Sequence, residues 1–187
     1  GQKKTKSGRY DMIVDNMNSA RLLSPIMDAI DGASIQQKNS FLIDKLNQKV
    51  LGDKVTLKDE PHLIKTPGAR YFDNEGVVLK TYFIDTYRAN KMGIAPTISS
   101  ASILTIDMGD KDLEALIAGV NKGILVTGFN GGNCNSTTGD FSYGIEGFLI
   151  EGGKMVQPIS EMNVTGNMLK LWNQLVEIGN DPRQSSS

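Results

Sequence analysis

From Val55 onward the chain is written in short β-prone runs punctuated by glycine, asparagine, aspartate and proline, and this texture constrains the fold more than any other feature. Runs of this kind, bounded by turn residues, read as strands joined by tight connections. The candidate strands are Lys54–Lys58, Val77–Asp85, Ile98–Ile106, Ile124–Phe129, Tyr143–Ile150 and Met155–Asn163. Between the last two, Glu151-Gly152-Gly153-Lys154 reads as a hairpin turn, because glycines reach the positive φ angles that tight turns need. Strand follows strand without regular crossover helices. That order points to an α+β fold with a mostly antiparallel, curved sheet and flanking helices.

Helical patterning is confined to four places. Leu22, Leu23, Ile26, Met27 and Ile30 recur at helical spacing, and Ser24-Pro25 reads as an N-cap followed by a first-turn proline, with the end near Gly32. Phe41, Leu42, Leu46 and Val50 suggest a further short helix closed at Gly52. Later, Lys111–Val120 starts at Asp110, and Met168–Ile178 carries an apolar stripe of Met168, Leu171, Trp172, Leu175 and Val176, which reads as packing surface. Tyr10–Val14 adds one short strand before them. The reading divides the chain into a helical lead-in over 1–53, continuous with an α+β sheet domain over 54–187, in keeping with one domain of ~100–200 residues.

The residue inventory excludes several function classes. Twenty basic residues stand against 21 acidic ones, so no electrostatic footprint for nucleic acid or an anionic membrane is present. No apolar run approaches the ~18–20 residues that span a bilayer. The single cysteine, Cys134, rules out an internal disulfide framework and suits a cytoplasmic protein. A zinc site needs three or four ligands drawn mainly from Cys and His, and the chain offers one of each, Cys134 and His62. His62, after Pro61 and beside Leu63, reads as a partly buried loop histidine. Cys134 as a nucleophile has no base near it in sequence.

The most unusual stretch is Gly128-Phe129-Asn130-Gly131-Gly132-Asn133-Cys134-Asn135-Ser136-Thr137-Thr138-Gly139-Asp140. Its small, turn-prone residues leave backbone amides open, so it reads either as a cradle for an anion or peptide carbonyl or as a long connection between two strands. It matches neither a P-loop nor a dinucleotide fingerprint.

Several segments, in order along the chain, resemble the C-terminal region of the TldD/PmbA family. They are Lys38-Asn39-Ser40-Phe41-Leu42, Pro61-His62-Leu63, Phe72–Gly76, Thr86–Gly93, Thr138–Gly144, Gly147–Glu151, Pro158–Glu161, Thr165-Gly166-Asn167 and Ile178-Gly179-Asn180-Asp181. In that family, TldD-like members carry a His-Glu-x-x-x-His zinc helix and a cysteine downstream of the Gly-Asn-Asp motif. PmbA-like (TldE) members lack those ligands and pair with TldD in a cytosolic, peptide-degrading complex. The zinc helix would stand just before Lys38–Leu42; here that place reads Ser24–Gly32 without histidine, and Cys134 precedes Gly179-Asn180-Asp181. The resemblance therefore implies a PmbA (TldE)-like chain, without catalytic residues or metal of its own. It implies a TldD-type metallopeptidase subunit as zinc-bearing partner, peptide as substrate and a homodimer when the chain is alone. Asn130, Gly131, Gly132, Asn133, Asn135, Thr138 and Asp140 would line the substrate chamber or the subunit interface. The resemblance also places the family's N-terminal domain outside this sequence and a shortened loop near Gly76. The alternative reading is a regulatory protein-binding module of the gyrase-modulator type with no part in proteolysis.

Overall fold

The computed structural model describes residues 4–59, 91, 93 and 104–181. His62 and the expected strand Val77–Asp85 lie outside them, as do most of Ile98–Ile106 and the segments Phe72–Gly76 and Thr86–Asn90. The elements run β1 (Asp11–Val14), α1 (Ala20–Ile30), α2 (Gly32–Gln36), β2 (Leu57–Asp59), β3 (Leu104–Ile106), α3 (Leu113–Ala118), β4 (Lys122–Cys134), β5 (Asp140–Glu151), β6 (Lys154–Asn167) and α4 (Met168–Asn173). The fold is α+β. A four-stranded sheet in the order β1-β4-β5-β6 carries the architecture, and β2 and β3 form a separate antiparallel pair.

The sheet is mixed. β4, β5 and β6 run antiparallel in sequence, while β1 joins parallel to β4 with Met12 opposite Ile124. Alternation in β5 explains why the sheet has an inner face: Phe141, Tyr143 and Ile145 are buried, while Ser142 and Glu146 are exposed. The β5–β6 turn forms at Gly152 and Gly153, with φ of 56° and 76°, and pairs Glu151 with Lys154. A side chain at Gly153 would also press on the Ala118 carbonyl, so the turn is seated against the end of α3. Backbone hydrogen bonds from Gly152 to Asn121 and from Gly153 to Val120 hold it there.

At this end both faces of the sheet are covered. Alternation along β5 puts Leu149 with Ile124, Val126, Ile145 and Ile159 on one face, while Ile150 and Leu125 pack under Ile117 of α3 on the other. Asp112 caps α3 by accepting from the Ala115 amide at 2.8 Å. At the opposite end the cover is α1, which buries Leu22, Ile26 and Ala29 against Phe141, Tyr143 and Met168. Trp172 ties α4 to α1 through Nε1 donating to the Leu22 carbonyl at 3.2 Å.

The strand expected over Lys54–Lys58 is Leu57–Asp59, the helix expected over Lys111–Val120 from Asp110 is Leu113–Ala118 with Asp112 as its cap, and four further elements differ more. α1 starts at Ala20 and carries Pro25 inside it, although an interior proline costs ~3 kcal/mol. Burial of Leu22, Ile26 and Ala29 along one face offsets that cost, and Ser24 Oγ donates to the Ala20 carbonyl at 2.8 Å. No helix forms over Phe41–Val50: Asp44 and Asn47 adopt φ of 61° and 62°, which end a right-handed helix, while Phe41 and Leu42 are buried from irregular backbone. α4 stops at Asn173, and Val176, expected on its apolar stripe, is 74% exposed beyond it. Finally, β4 continues through the glycine- and asparagine-rich stretch as far as Cys134, leaving only residues 135–139 as the connection to β5.

Candidate functional site

The continuation of β4 is possible because the strand bulges. Phe129 pairs with Ile145 and Gly132 with Tyr143, so Asn130 and Gly131 together stand opposite Gly144, one residue more than the partner strand. Gly131 and Gly132 take φ of 105° and 86°. A side chain at Gly132 would collide with the Ser142 carbonyl, and one at Gly144 would collide with Asn130 Oδ1. The bulge thus needs glycine on both strands.

The bulge turns carbonyls, and not amides, toward α1. The Arg21 guanidinium donates from Nη2 to the Gly132 carbonyl at 2.9 Å and to that of Gly131 at 3.5 Å. Its Cζ sits 4.7 Å above the centre of the Tyr143 ring, a cation–π arrangement. Tyr143 in turn stacks on Phe141 at 5.2 Å and meets Phe129 edge-on at 5.7 Å. Arg21 therefore stitches the start of α1 to the end of β4 over an aromatic floor.

Between those two walls opens a cleft of ≈ 430 Å³, lined among others by Arg21, Ser24, Asp28, Asn133, Cys134 and Tyr143. Arg21, Ser24 and Asp28 are spaced to share the α1 side opposite its apolar stripe. Asn39 closes one rim, its Oδ1 accepting from Ser136 Oγ at 2.5 Å and Thr137 Oγ1 at 3.4 Å. Burial, and secondarily the charge of Asp140, push the Cys134 thiol up from its ordinary pKa, so it stays protonated at neutral pH. Burial likewise raises the Tyr143 phenol, with Cys134 adding to the rise and Arg21 opposing it.

The residues singled out in the sequence separate into three groups. Gly132 and Asn133 line the cleft, joined by Cys134. Asn130 and Gly131 build the bulge. Asn135, Thr138 and Asp140 build the β4–β5 turn instead: Asn135 Oδ1 accepts from the Thr137 and Thr138 amides at 2.9 and 3.1 Å, and Asn167 Nδ2 donates to the Thr138 carbonyl and to Asp140 Oδ1. Side-chain hydrogen bonding, first to Asn167 and then to Thr138, holds the Asp140 carboxyl below its usual pKa. Arg21, Asp28 and Tyr143 had no place in the sequence-based set. Arg21 and Asp28 were visible only as polar positions on an apolar-striped helix, a pattern shared by most surface helices.

The cleft does not fit a zinc ion. Among the described residues no three His, Cys, Asp or Glu side chains converge, and the cleft itself offers only Cys134, as a thiol, and Asp28. Nor is any described helix long and apolar enough to cross a membrane.

A family model for the PmbA/TldA metallopeptidase C-terminal domain matches residues 7–187. Among curated relatives, Metalloprotease PmbA of Escherichia coli O157:H7 is 30% identical over 96% of this chain and 43% of its own length. The PmbA homolog of Buchnera aphidicola subsp. Acyrthosiphon pisum is 31% identical over 97% of this chain and 44% of its own. The chain thus spans less than half the length of these relatives. Among solved structures, a candidate modulator of DNA gyrase from Bacteroides thetaiotaomicron superposes with a TM-score of 0.95 at 64% identity, over 100% of this chain and 45% of that one. TldE from Thermococcus kodakarensis, at 23% identity, shares the fold with a TM-score of 0.78 over 91% of this chain and 44% of that one.

Proposed function

This chain belongs to the PmbA/TldA metallopeptidase family through that family's C-terminal domain, and from that premise we propose that it is a PmbA (TldE)-like subunit, the half of a TldD–TldE-type peptidase that holds no zinc. One observation carries the reading. α1 stands just before Lys38–Leu42, where the family resemblance puts the zinc helix, and lines a cleft with the end of β4. Its cleft side presents Arg21, Ser24 and Asp28, a set that binds and orients but does not hold zinc. In this reading the chain completes a cytoplasmic complex, shapes the peptide chamber and leaves the metal chemistry to the partner.

The test uses the full-length protein and a TldD-type partner from the same source. Either protein alone is expected to leave an unfolded peptide substrate intact, and the mixture to cleave it in a zinc-dependent way. Zinc content measured on the purified full-length protein should be well below one equivalent. Zinc-dependent cleavage by this protein alone would overturn the reading. Two solved relatives carry a gyrase-modulator description, which favours the regulatory alternative; co-purification with gyrase and not with a TldD-type protein would establish it instead.

A further inference from the structure

Arg21 and Asp28 stand seven residues apart on α1, both on the wall of the cleft, and neither has an ionic partner among the described residues. Seven residues of helix rise about 10.5 Å. Three extended residues of a peptide, at about 3.3–3.6 Å each, cover the same span. A positive and a negative charge so separated match the two ends of a short zwitterionic chain.

The positive end carries a second, independent signal. Tyr143 is 2% exposed, lines the cleft, and its hydroxyl has no hydrogen-bond partner among the described residues. Buried hydroxyls are nearly always satisfied. The phenol lies within electrostatic reach of Arg21 and Cys134, which line the same cleft. An O–H donor and a guanidinium with N–H groups beyond those given to Gly132 and Gly131 together suit a carboxylate. Between the charged ends, Pro25, Ala29 and Phe41 give the cleft apolar surface for side chains. A phosphate fits worse: a single guanidinium faces it, and the free Asp28 carboxylate repels a dianion.

We infer that the cleft is a terminus-reading site for a peptide of about three residues, whose carboxylate pairs with the Arg21 guanidinium and the Tyr143 hydroxyl and whose ammonium group pairs with Asp28. The inference rests on the reading that the chain serves a peptidase, and it deepens that reading. The subunit's own cleft holds the free ends of short peptides, such as a peptidase releases, and is not a vestige of a metal site.

The experiment is calorimetric titration of the full-length protein, free of partner and of zinc, with trialanine, trialanine amide and N-acetyl-trialanine. Trialanine is expected to bind saturably; amidation should weaken it about tenfold or more, as loss of a charged hydrogen-bonded pair does. Acetylation should weaken it less, and Asp28→Asn should abolish the difference between the acetylated and free forms. Tyr143→Phe, which keeps the ring under Arg21, should weaken trialanine severalfold while leaving the amide unaffected. The ligand comparison needs no substitution, so a misfolded Arg21 variant cannot obscure the result. Equal affinities for acid and amide, or no saturable binding by any of the three, would overturn the inference. Binding as expected without zinc-dependent cleavage in the two-protein assay would remove the peptidase reading and leave the site standing; cleavage without binding would do the reverse.

Discussion

The two ends of the long β4–β5–β6 sheet are built from the same residue types to opposite effect. At the hairpin end, Gly152 and Gly153 make a tight connection, and the sheet buries side chains on both faces, the Ile124–Ile159 cluster on one and Ile150 and Leu125 under α3 on the other. At the cleft end, Gly131 and Gly132 make a bulge, α1 covers one face, and the space between helix and strand stays open. Glycine at the first end closes a structure; at the second it re-aims carbonyls so that a cation can be held over an aromatic ring. Both ends rest on buried clusters, and only the bulge end also leaves a cleft open above its cluster. That division can be tested by substitutions at each.

The largest effect is expected at the closed end. Ile150 is fully buried between β5 and α3, so Ile150→Ala should cost about 2–5 kcal/mol of stability, the range for truncating a buried aliphatic side chain. Denaturant unfolding followed by far-UV circular dichroism measures it. The same variant, below its unfolding midpoint, should bind trialanine as the parent does. A loss of binding without a loss of stability would break the proposed division between the two ends.

The next effect belongs to the bulge and contrasts neighbouring glycines. Both have positive φ, but a side chain at Gly131 meets open space, whereas one at Gly132 meets the Ser142 carbonyl. Gly132→Ala should cost about 2 kcal/mol or more, from backbone strain plus a disturbed ladder hydrogen bond. Gly131→Ala should cost about 1 kcal/mol from strain alone. Only the first should also displace the Gly132 carbonyl that receives Arg21, and so only the first should weaken peptide binding. Equal losses from both would mean that the bulge geometry does not position Arg21.

The same contrast explains what the sequence showed and what it concealed. The hairpin was legible, because Glu151-Gly152-Gly153-Lys154 acts within four residues and its flanking strands alternate. The bulge was not: glycine and asparagine have low intrinsic strand preference, and what keeps Asn130–Cys134 in the sheet is pairing to Tyr143, Ser142 and Phe141 on β5. The parallel pairing of β1 with β4 was equally hidden, since it joins Asp11–Val14 to residues more than a hundred positions away. Pro25 misdirected the start of α1 because a first-turn proline is the local optimum and burial of Leu22 is a tertiary effect. Most instructive are the segments that carry the family resemblance. Ser40, 3% exposed, donates to the Ala29 carbonyl; Asn167 caps α4 and holds the β4–β5 turn; Asn180 donates to the Asp110 carbonyl. These residues stitch the fold. The cleft takes Asn39 and Phe41 from those segments, but its charged residues, Arg21 and Asp28, belong to none of them, and Tyr143, which lies within one, reads as strand and not as site.

The smallest effect concerns the turn that separates the bulge from β5, and its sign follows from two opposite pKa shifts. The Asp140 carboxyl is held low by Asn167 and Thr138, so its contribution to stability is present above the usual carboxylate range and is lost as pH falls below about 4. The Cys134 thiol is held high, first by burial and then by the Asp140 charge, so its protonated form persists above the usual thiol range. Asp140→Asn removes the charge but leaves the burial. Stability in the variant should lose part of its fall below about pH 4. Alkylation of Cys134 by iodoacetamide near pH 8 should quicken only slightly, because burial is the larger cause of the raised thiol. A large acceleration would show that charge governs the thiol, and that the cleft floor is wetter than the packing of Phe141 and Tyr143 implies. An unchanged acid limb would show that Asp140 serves the turn only as a hydrogen-bond acceptor, a role asparagine can fill.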